Sequence, residues 1–195
     1  MSEKNVGFTL FDTAIGRCGI AWNGRGVVAV RFPERSDEAT RNRILRRFPD
    51  AQEATPSAAA ACAIDGIVAL LSGEPRDLQD IAVDMQDVPD FNRRVYDVAR
   101  GIRPGTTLTY GEVAERLGDR KLARDVAQAL SENICPIVVP CHRVMAAGGK
   151  TGGFSAPGGV KTKLKLLSIE GAQLEAAPML FDRLPLASAG RRRQA

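Results

Sequence analysis

The first thirty residues alternate between apolar and polar side chains. Every second residue from Val6 to Leu10 is apolar, which places these side chains on one face of an extended segment. The dipeptide Asn23-Gly24 favours a tight hairpin turn, and the apolar run at residues 27–30 follows it. This pattern predicts a β-meander over residues 5–32.

Helical periodicity replaces this alternation in the next segment. A basic helix is predicted over residues 37–48, and Thr55-Pro56 opens an alanine-rich helix that ends near Gly73. Residues 73–90 contain five aspartates and two prolines, which predicts a connector with at most one edge strand. A domain boundary is therefore placed near Val88.

The second half of the chain is predicted to be mostly helical. We expect Asp90 to cap a helix that ends at residues 101–104, and Thr109 and Glu112 have the spacing of a capping box for a short helix. A helix over residues 121–131 follows after a tight turn containing glycine, which makes the pair a helix-turn-helix candidate. The outward face of the second helix would carry Arg124, Ala127, Gln128 and Ser131. One long cation among small side chains suits close approach to a nucleic-acid groove, although most helix pairs of this kind are simply packed helices.

Candidate chemistry is concentrated at Cys141 and His142, the single histidine of the chain. The β-branched run at residues 137–139 predicts a buried strand, which Pro140 ends because proline cannot donate to a sheet. A thiol beside an imidazole and the guanidinium of Arg143 has the electropositive setting that favours a thiolate. Since neighbours on a strand face opposite ways, we expect a water to link the two side chains. The alternative is a buried thiol followed by a structural histidine.

Six glycines fall within residues 148–159. Gly149-Lys150-Thr151 matches the end of a phosphate loop, but that motif needs a glycine where Val144 stands, so nucleotide hydrolysis is rejected. We expect the loop to wall a pocket with its backbone N–H and C=O groups, the alternative being a flexible linker.

A helix is predicted over residues 160–169, directly after this loop. Its inward residues would be Val160, Leu164 and Leu167, and its outward residues Lys161, Lys163 and Lys165. Glu170 at its end is a candidate to orient the imidazole of His142, because a carboxylate at a helix C-terminus is unfavourable without a partner.

Composition and charge narrow the partners of such a site. The 195 residues are 44% hydrophobic, enough for a core, and neither a membrane-spanning run nor a secretory leader is evident, which predicts a cytoplasmic protein. The four cysteines lack metal-binding spacing and are expected to be free thiols, and with one histidine no metal site is expected. The net charge of +4 divides into +6 from Cys141 onward and −2 before it, which indicates a polyanionic partner.

Together these features resemble the O6-alkylguanine-DNA alkyltransferases, repair proteins that move an alkyl group from a damaged base onto their own cysteine. The most specific match is the run from Asn133 to Val144, with Pro-Cys-His-Arg-Val at its end. Further matches are Arg103-Pro104-Gly105, Thr109 to Ala114, Ala123 to Val126, Gly153-Phe154-Ser155 and Glu170-Gly171. The resemblance implies an α/β fold: a small ribonuclease-H-like domain over residues 1–88, a mostly helical, winged-helix-like domain with the helix-turn-helix over residues 89–172, and a tail over residues 173–195.

The resemblance also implies a role for each matching residue. Cys141 would be the nucleophile and alkyl acceptor, His142 would deprotonate it through a water, and Glu170 would orient the imidazole. Asn133 would hold the backbone of the site. Residues implied to contact the substrate or DNA are Tyr110, Arg124, Gln128, Arg143, Phe154 and Ser155, with Arg124 as the finger that replaces the flipped base. Four residues depart from the usual family pattern, namely Asp125, Gln128, Ile134 and Phe154.

The implied reaction is a stoichiometric, single-turnover transfer from O6 of guanine in double-stranded DNA to Cys141, by a monomer and without a cofactor. O4-alkylthymine stays an open substrate. Two other functions compete with this one: a non-enzymatic binder of damaged DNA, whose known examples lack the reactive cysteine, and a thiol hydrolase that uses Cys141, His142 and Glu170.

Overall fold

The computed structural model describes residues 5–172, and the predicted tail lies outside them. The chain begins with the predicted antiparallel meander, which is confirmed. Its strands are β1 (Gly7–Thr13), β2 (Gly16–Asn23) and β3 (Gly26–Arg31). A two-residue strand, β4 (Gln52–Glu53), pairs in parallel with β1, so the sheet order is β3-β2-β1-β4.

Two helices accompany this sheet. The first, α1, spans Asp37–Leu45 and ends three residues before the predicted boundary, and the second, α2, spans Ala58–Leu71. A serine caps the N-terminus of each helix, Ser36 for α1 and Ser57 for α2. In both cases the serine hydroxyl accepts a hydrogen bond from a backbone N–H of the first turn. Within residues 5–172, no helix is long and apolar enough to cross a membrane.

The second half is mostly helical, as predicted. Its helices are α3 (Asp90–Arg100), α4 (Tyr110–Arg116), α5 (Ala123–Ser131) and α6 (Val160–Ile169). Two short strands, β5 (Leu108–Thr109) and β6 (Val144–Met145), pair in parallel. Asp90 is the first residue of α3 rather than its cap: Pro89 occupies the cap position without a side-chain hydrogen bond, and the Asp90 carboxylate instead pairs with Arg93.

The capping box at the start of α4 is confirmed. The Thr109 hydroxyl accepts from the backbone N–H of Glu112 at 3.2 Å, and the Glu112 carboxylate accepts from the backbone N–H of Thr109 at 2.6 Å. A 3₁₀ turn over Arg120–Leu122 leads into α5, so α4 and α5 form the predicted helix-turn-helix pair.

The β-branched run at residues 137–139 is a turn, and the predicted strand there is wrong. The backbone N–H of Val139 donates to the carbonyl of Cys135 at 2.8 Å, which closes the chain on itself. Ile137 has φ 76°, in the left-handed region that β-branched residues rarely adopt. Because prolines flank the run at both ends, two donors that a sheet would need are missing.

Helix α6 occupies its predicted range, but its predicted faces are partly wrong. Val160 is the most exposed of its large apolar residues, and the side chains fully enclosed in the protein include Lys163, which is 0% exposed, and Leu166. The helix turns its second lysine inward because two backbone carbonyls receive the ammonium there.

The larger hydrophobic core takes side chains from both sides of the predicted domain boundary near Val88. Trp22 and Ile67 belong to the same buried cluster as Val95 and Leu130. A smaller cluster, which includes Phe8, Ala29 and Ile44, lies between the sheet and α1. The two halves therefore pack through a shared core, and the boundary itself stays a prediction.

Candidate active site

Cys141 lies at the first position of a 3₁₀ turn over Cys141–Arg143, immediately before β6. Its backbone N–H donates to the carbonyl of Val139 at 2.8 Å. The turn at residues 135–139 therefore fixes the backbone direction at Cys141. The side chain is half-buried, whereas Cys18 and Cys135 are buried and Cys62 is exposed; all four are free thiols.

Asn133 ties this turn together. Its side-chain N–H donates to the carbonyl of Val139 at 2.8 Å, and its side-chain oxygen accepts from the backbone N–H of Cys135 at 2.9 Å. The amide thus satisfies two backbone groups that a strand would have paired elsewhere. These two hydrogen bonds connect residues 133, 135 and 139 in the segment that leads to Cys141.

Glu170 and His142 meet in the interior. The Nε2 atom of His142 lies 2.9 Å from Oε1 of Glu170, and the two side chains are 0% and 2% exposed. Arg143 donates to both oxygens of the same carboxylate at 2.8 Å, and its Nη1 donates to the carbonyl of Ile102 at 2.5 Å. Since Arg143 is buried and its donors point to Glu170, its predicted role in binding substrate or DNA is wrong; it secures the carboxylate instead.

These contacts set the protonation of the pair. Burial by itself would raise the pKa of Glu170, but hydrogen bonds from His142 and Arg143 outweigh it and lower the pKa to about 2. Because an ionised carboxylate only accepts, Nε2 of His142 carries the proton in this contact. Burial lowers the pKa of His142 below its ordinary value, against the pull of Glu170, so the ring is neutral at pH 7.

The second ring nitrogen of His142 is thereby left with a lone pair. Nδ1 is buried and has no hydrogen-bond partner among residues 5–172. A neutral imidazole oriented in this way can accept a proton at Nδ1 while a carboxylate stabilises the imidazolium that forms.

Burial raises the pKa of the Cys141 thiol, while a hydrogen bond from Asn133 and the charge of Lys163 work in the opposite direction. The resting thiol therefore holds its proton at neutral pH. A reaction that uses the thiolate needs a base to remove that proton, and a cation to favour the charge once it forms.

Lys163 is the cation that the sequence reasoning missed. Its Nζ donates to the carbonyls of Val144 and Thr151 at 2.6 Å each, and lies 5.9 Å from the centre of the Tyr110 ring. Burial lowers its pKa to about 8, and the nearby Cys141 acts in the other direction. The ammonium joins the segment after the cysteine to the glycine-rich loop, and its positive charge favours the ionised form of the Cys141 thiol.

A pocket of about 420 Å³ opens in front of Cys141. Tyr110, Asn133, Phe154 and Ser155 line it, so the structure brings these predicted residues together with the cysteine. The glycine-rich loop forms one wall, as predicted, and at Gly152 a side chain would meet the Tyr110 hydroxyl at 3.1 Å.

Helix α5 lies at the mouth of this pocket. Ala127, Leu130 and Ser131 line the opening, while Arg124 and Gln128 are exposed on the same outer face and do not line it. Gln128 donates to Glu132 at 2.8 Å. The predicted finger residue, Arg124, is thus outside the pocket and exposed in the described part of the chain.

The opposite wall comes from the first half of the chain. Phe32, directly after β3, packs edge-to-face on Phe154 with ring centres 5.8 Å apart. Arg31, Glu34 and Arg43 complete this side of the pocket. No local sequence pattern indicates this wall, because its residues are more than ninety positions away from Cys141.

Comparison with known proteins agrees with this geometry. Residues 90–172 match the model of the family described as 6-O-methylguanine DNA methyltransferase, DNA binding domain. A methylated-DNA–protein-cysteine methyltransferase of Methanothermobacter thermautotrophicus is 36% identical over 157 residues, which cover 80% of this chain and 81% of the relative. The chain belongs to this methyltransferase family.

Solved structures of family members superpose on this member over most of its length. The crystal structure of the Mycobacterium tuberculosis O6-methylguanine methyltransferase matches with a TM-score of 0.69 and 32% identity, covering 85% of this chain and 93% of that one. A structure of the M. tuberculosis protein in complex with DNA matches with a TM-score of 0.68 and 30% identity, over 85% and 92% of the two chains. The mixed α/β fold, with its strands first and most of its helices later, is therefore that of the family.

Proposed function

We propose that the protein repairs alkylated DNA by transferring the alkyl group from O6 of guanine to its own Cys141. One observation carries this proposal: Cys141 lines a pocket of about 420 Å³, and the next residue in the chain is a buried neutral histidine whose Nε2 is held by Glu170. The relatives named as methylated-DNA–protein-cysteine methyltransferases support the substrate class.

The proton path follows from the hydrogen bonds. His142 accepts the thiol proton at Nδ1 through a bridging water, and Glu170 stabilises the imidazolium through Nε2. Arg143 keeps Glu170 ionised and in place. The positive charge of Lys163 favours the thiolate that results.

The transfer is a single displacement at the alkyl carbon. A bond forms between the sulfur of Cys141 and this carbon, the bond from carbon to O6 breaks, and its electron pair stays with the guanine. The purine gains one proton, in balance with the one that the thiol lost. Tyr110 lines the pocket and donates a hydrogen bond to the purine. Its hydroxyl keeps its proton because burial raises its pKa.

Access to the pocket requires that the nucleotide leave the duplex. Flipping costs a few kcal/mol, least for a poorly paired damaged base. With α5 as the recognition helix of the helix-turn-helix, Arg124 enters the duplex and fills the space of the flipped base, while Ser155 and its neighbours contact O6. The winged-helix-like and ribonuclease-H-like descriptions of the two halves stay proposals; the parallel pairing of β4 beside an antiparallel meander supports the second.

The transfer consumes the protein. A thioether is not readily hydrolysed, so each molecule acts once, as a monomer and without a cofactor. Cys141 is in this sense a reagent rather than a catalyst.

Mass spectrometry of the intact chain tests the proposal. The protein is incubated with duplex DNA that contains O6-methylguanine, and we expect a gain of one methyl group per chain that is absent in Cys141→Ala. Tight binding of the duplex without a mass change would favour a damage binder instead. Release of more than one product per chain would favour a thiol hydrolase.

A further inference from the structure

The basic end of α1 lies at the rim of the reactive pocket, opposite α5. Arg43 lines the pocket together with Ala127 and Ser131 of the recognition helix. Arg46 and Arg47 follow on the same helix end, and all three arginines are exposed. None of the three forms an ion pair within residues 5–172; the one aromatic contact is that of Arg47 with the Phe48 ring at 5.9 Å.

The charge of this rim is positive on balance. Arg31 and the acid Glu34 also line this side of the pocket. Burial lowers the pKa of Arg31, and the charges of Arg43 and Arg47 lower it further. Two further arginines near α1 are paired with carboxylates: Arg17 pairs with Asp37, and Arg41 pairs with Glu53. Among residues 5–172, Arg43, Arg46 and Arg47 are thus cations without a carboxylate partner.

The flipped nucleotide defines what meets this rim. A nucleotide rotated into the pocket remains joined to its strand by two phosphodiesters, which must stay at the pocket mouth. The mouth is bounded by α5 on one side and by Phe32, Glu34 and Arg43 on the other. These phosphates therefore pass between the two walls. Cations on the second wall are then close enough to attract them electrostatically.

We infer that Arg43, with Arg46 and Arg47 beside it, forms a second DNA-contacting surface that binds the backbone of the damaged strand from the side of the N-terminal half. This inference rests on the proposed function and extends it beyond the matched DNA-binding region at residues 90–172. The competing explanation is that the cations only complement the negative C-terminal end of α1.

The salt dependence of DNA binding separates these explanations. Each phosphate contact contributes about 0.9 to the slope of log binding constant against log salt concentration. The affinity of the Cys141→Ala protein for a duplex with O6-methylguanine is measured by fluorescence anisotropy over a range of salt concentrations. Adding Arg43→Gln is expected to reduce the slope by about one, and Arg43→Lys to restore it.

Arg76→Gln is the matched control. It removes the same charge from a half-buried arginine of the connector, which pairs with Asp80 and does not line the pocket, and the slope is expected to stay unchanged. An equal slope for Arg43→Gln and its parent would overturn the inference, whatever happens to the melting temperature. A parent with Cys141 intact that binds the duplex but gains no methyl group would overturn the proposed function and leave the slope comparison valid. A parent that does not bind would overturn both.

Discussion

At the scale of single residues, Glu170 connects most of the site. It accepts from Nε2 of His142 and from two nitrogens of Arg143, so one carboxylate fixes the tautomer of the base and compensates a buried cation. Removing one member of such a buried set typically costs about 3–5 kcal/mol, because the remaining charge is left without a partner. Glu170 at the end of α6 therefore both stabilises the fold and orients the imidazole of His142.

The low pKa of Glu170 has a consequence for stability in acid. In the unfolded chain this carboxyl titrates near its ordinary pKa of 4.5, and in the folded protein near about 2. Its stabilising contribution is therefore complete above about pH 4.5 and is lost as the pH falls towards 2. We expect urea titrations to show that the gap in unfolding free energy between the parent and Glu170→Gln narrows across this range.

Glu115→Gln is the control for this measurement. Its carboxylate lies on the surface, 3.8 Å from Arg120, and such exposed pairs contribute less than about 1 kcal/mol. We expect it to differ little from the parent at every pH. A gap for Glu170→Gln that stays constant from pH 4.5 to 2 would show that Glu170 is not held ionised by its neighbours.

The contact between His142 and Glu170 could be predicted from the chemistry of the individual residues. A lone histidine beside a cysteine, and an acid at an unfavourable helix end, pointed to His142 and Glu170, and the structure brings these two into contact. Lys163 was missed because every second residue from 161 to 165 is a lysine, and helical periodicity does not say which one is buried. Arg143 was assigned to DNA because its charge is visible in the sequence and its buried partner is not.

At the scale of elements, the segment from Asn133 to Arg143 decides the geometry of the site. β-branched residues favour strands, so the run at residues 137–139 predicted one. The structure has a turn there instead, because the Asn133 amide makes side-chain hydrogen bonds to this segment and the flanking prolines lack the N–H groups that a strand would use. The water link between Cys141 and His142 was predicted from strand geometry that the segment does not have. The link stays a proposal, now supported by Nδ1 of the neutral histidine, which has no hydrogen-bond partner in the described part of the chain.

The helix-turn-helix was predicted more completely than this turn, because capping is a local signal. The box formed by Thr109 and Glu112 satisfies backbone donors at the start of α4. Replacing Thr109 with Ala removes the hydroxyl that accepts from the N3 backbone N–H, so we expect a loss of about 1 kcal/mol of unfolding free energy. Urea denaturation measures it, and Thr106→Ala, whose hydroxyl donates to a loop carbonyl outside any helix, serves as comparison. Equal stability of Thr109→Ala and the parent would contradict a capping role.

At the scale of the whole molecule, the N-terminal half is part of the site's construction. The backbone N–H of Val30 donates to the carbonyl of Ile134 at 2.9 Å, and Arg31 donates to the same carbonyl at 3.0 Å. This places β3 directly against the segment that Asn133 holds. Sequence patterns identified the meander and the reactive segment separately, but long-range contacts of this kind leave no periodic signal.

The proposed role of α5 in DNA recognition gives a prediction for Arg124. Arg124→Ala is expected to slow methyl transfer from duplex DNA by about tenfold or more, which corresponds to a loss of about 1.4 kcal/mol. Transfer from the free base O6-methylguanine should slow much less, because a free base needs no flipping. Single-turnover rates with both substrates measure the ratio, with Arg76→Ala as the control. An equal slowing with both substrates would contradict the finger role.

The most direct test of the central claim is the location and number of transferred groups. The protein is given an excess of duplex DNA with isotopically labelled O6-methylguanine, and its peptides are mapped at all four free cysteines. We predict that labelling stops at one methyl group per chain, on the half-buried Cys141, and that the exposed Cys62 stays unmodified. Label on Cys62, or more than one methyl group per chain, would contradict the account.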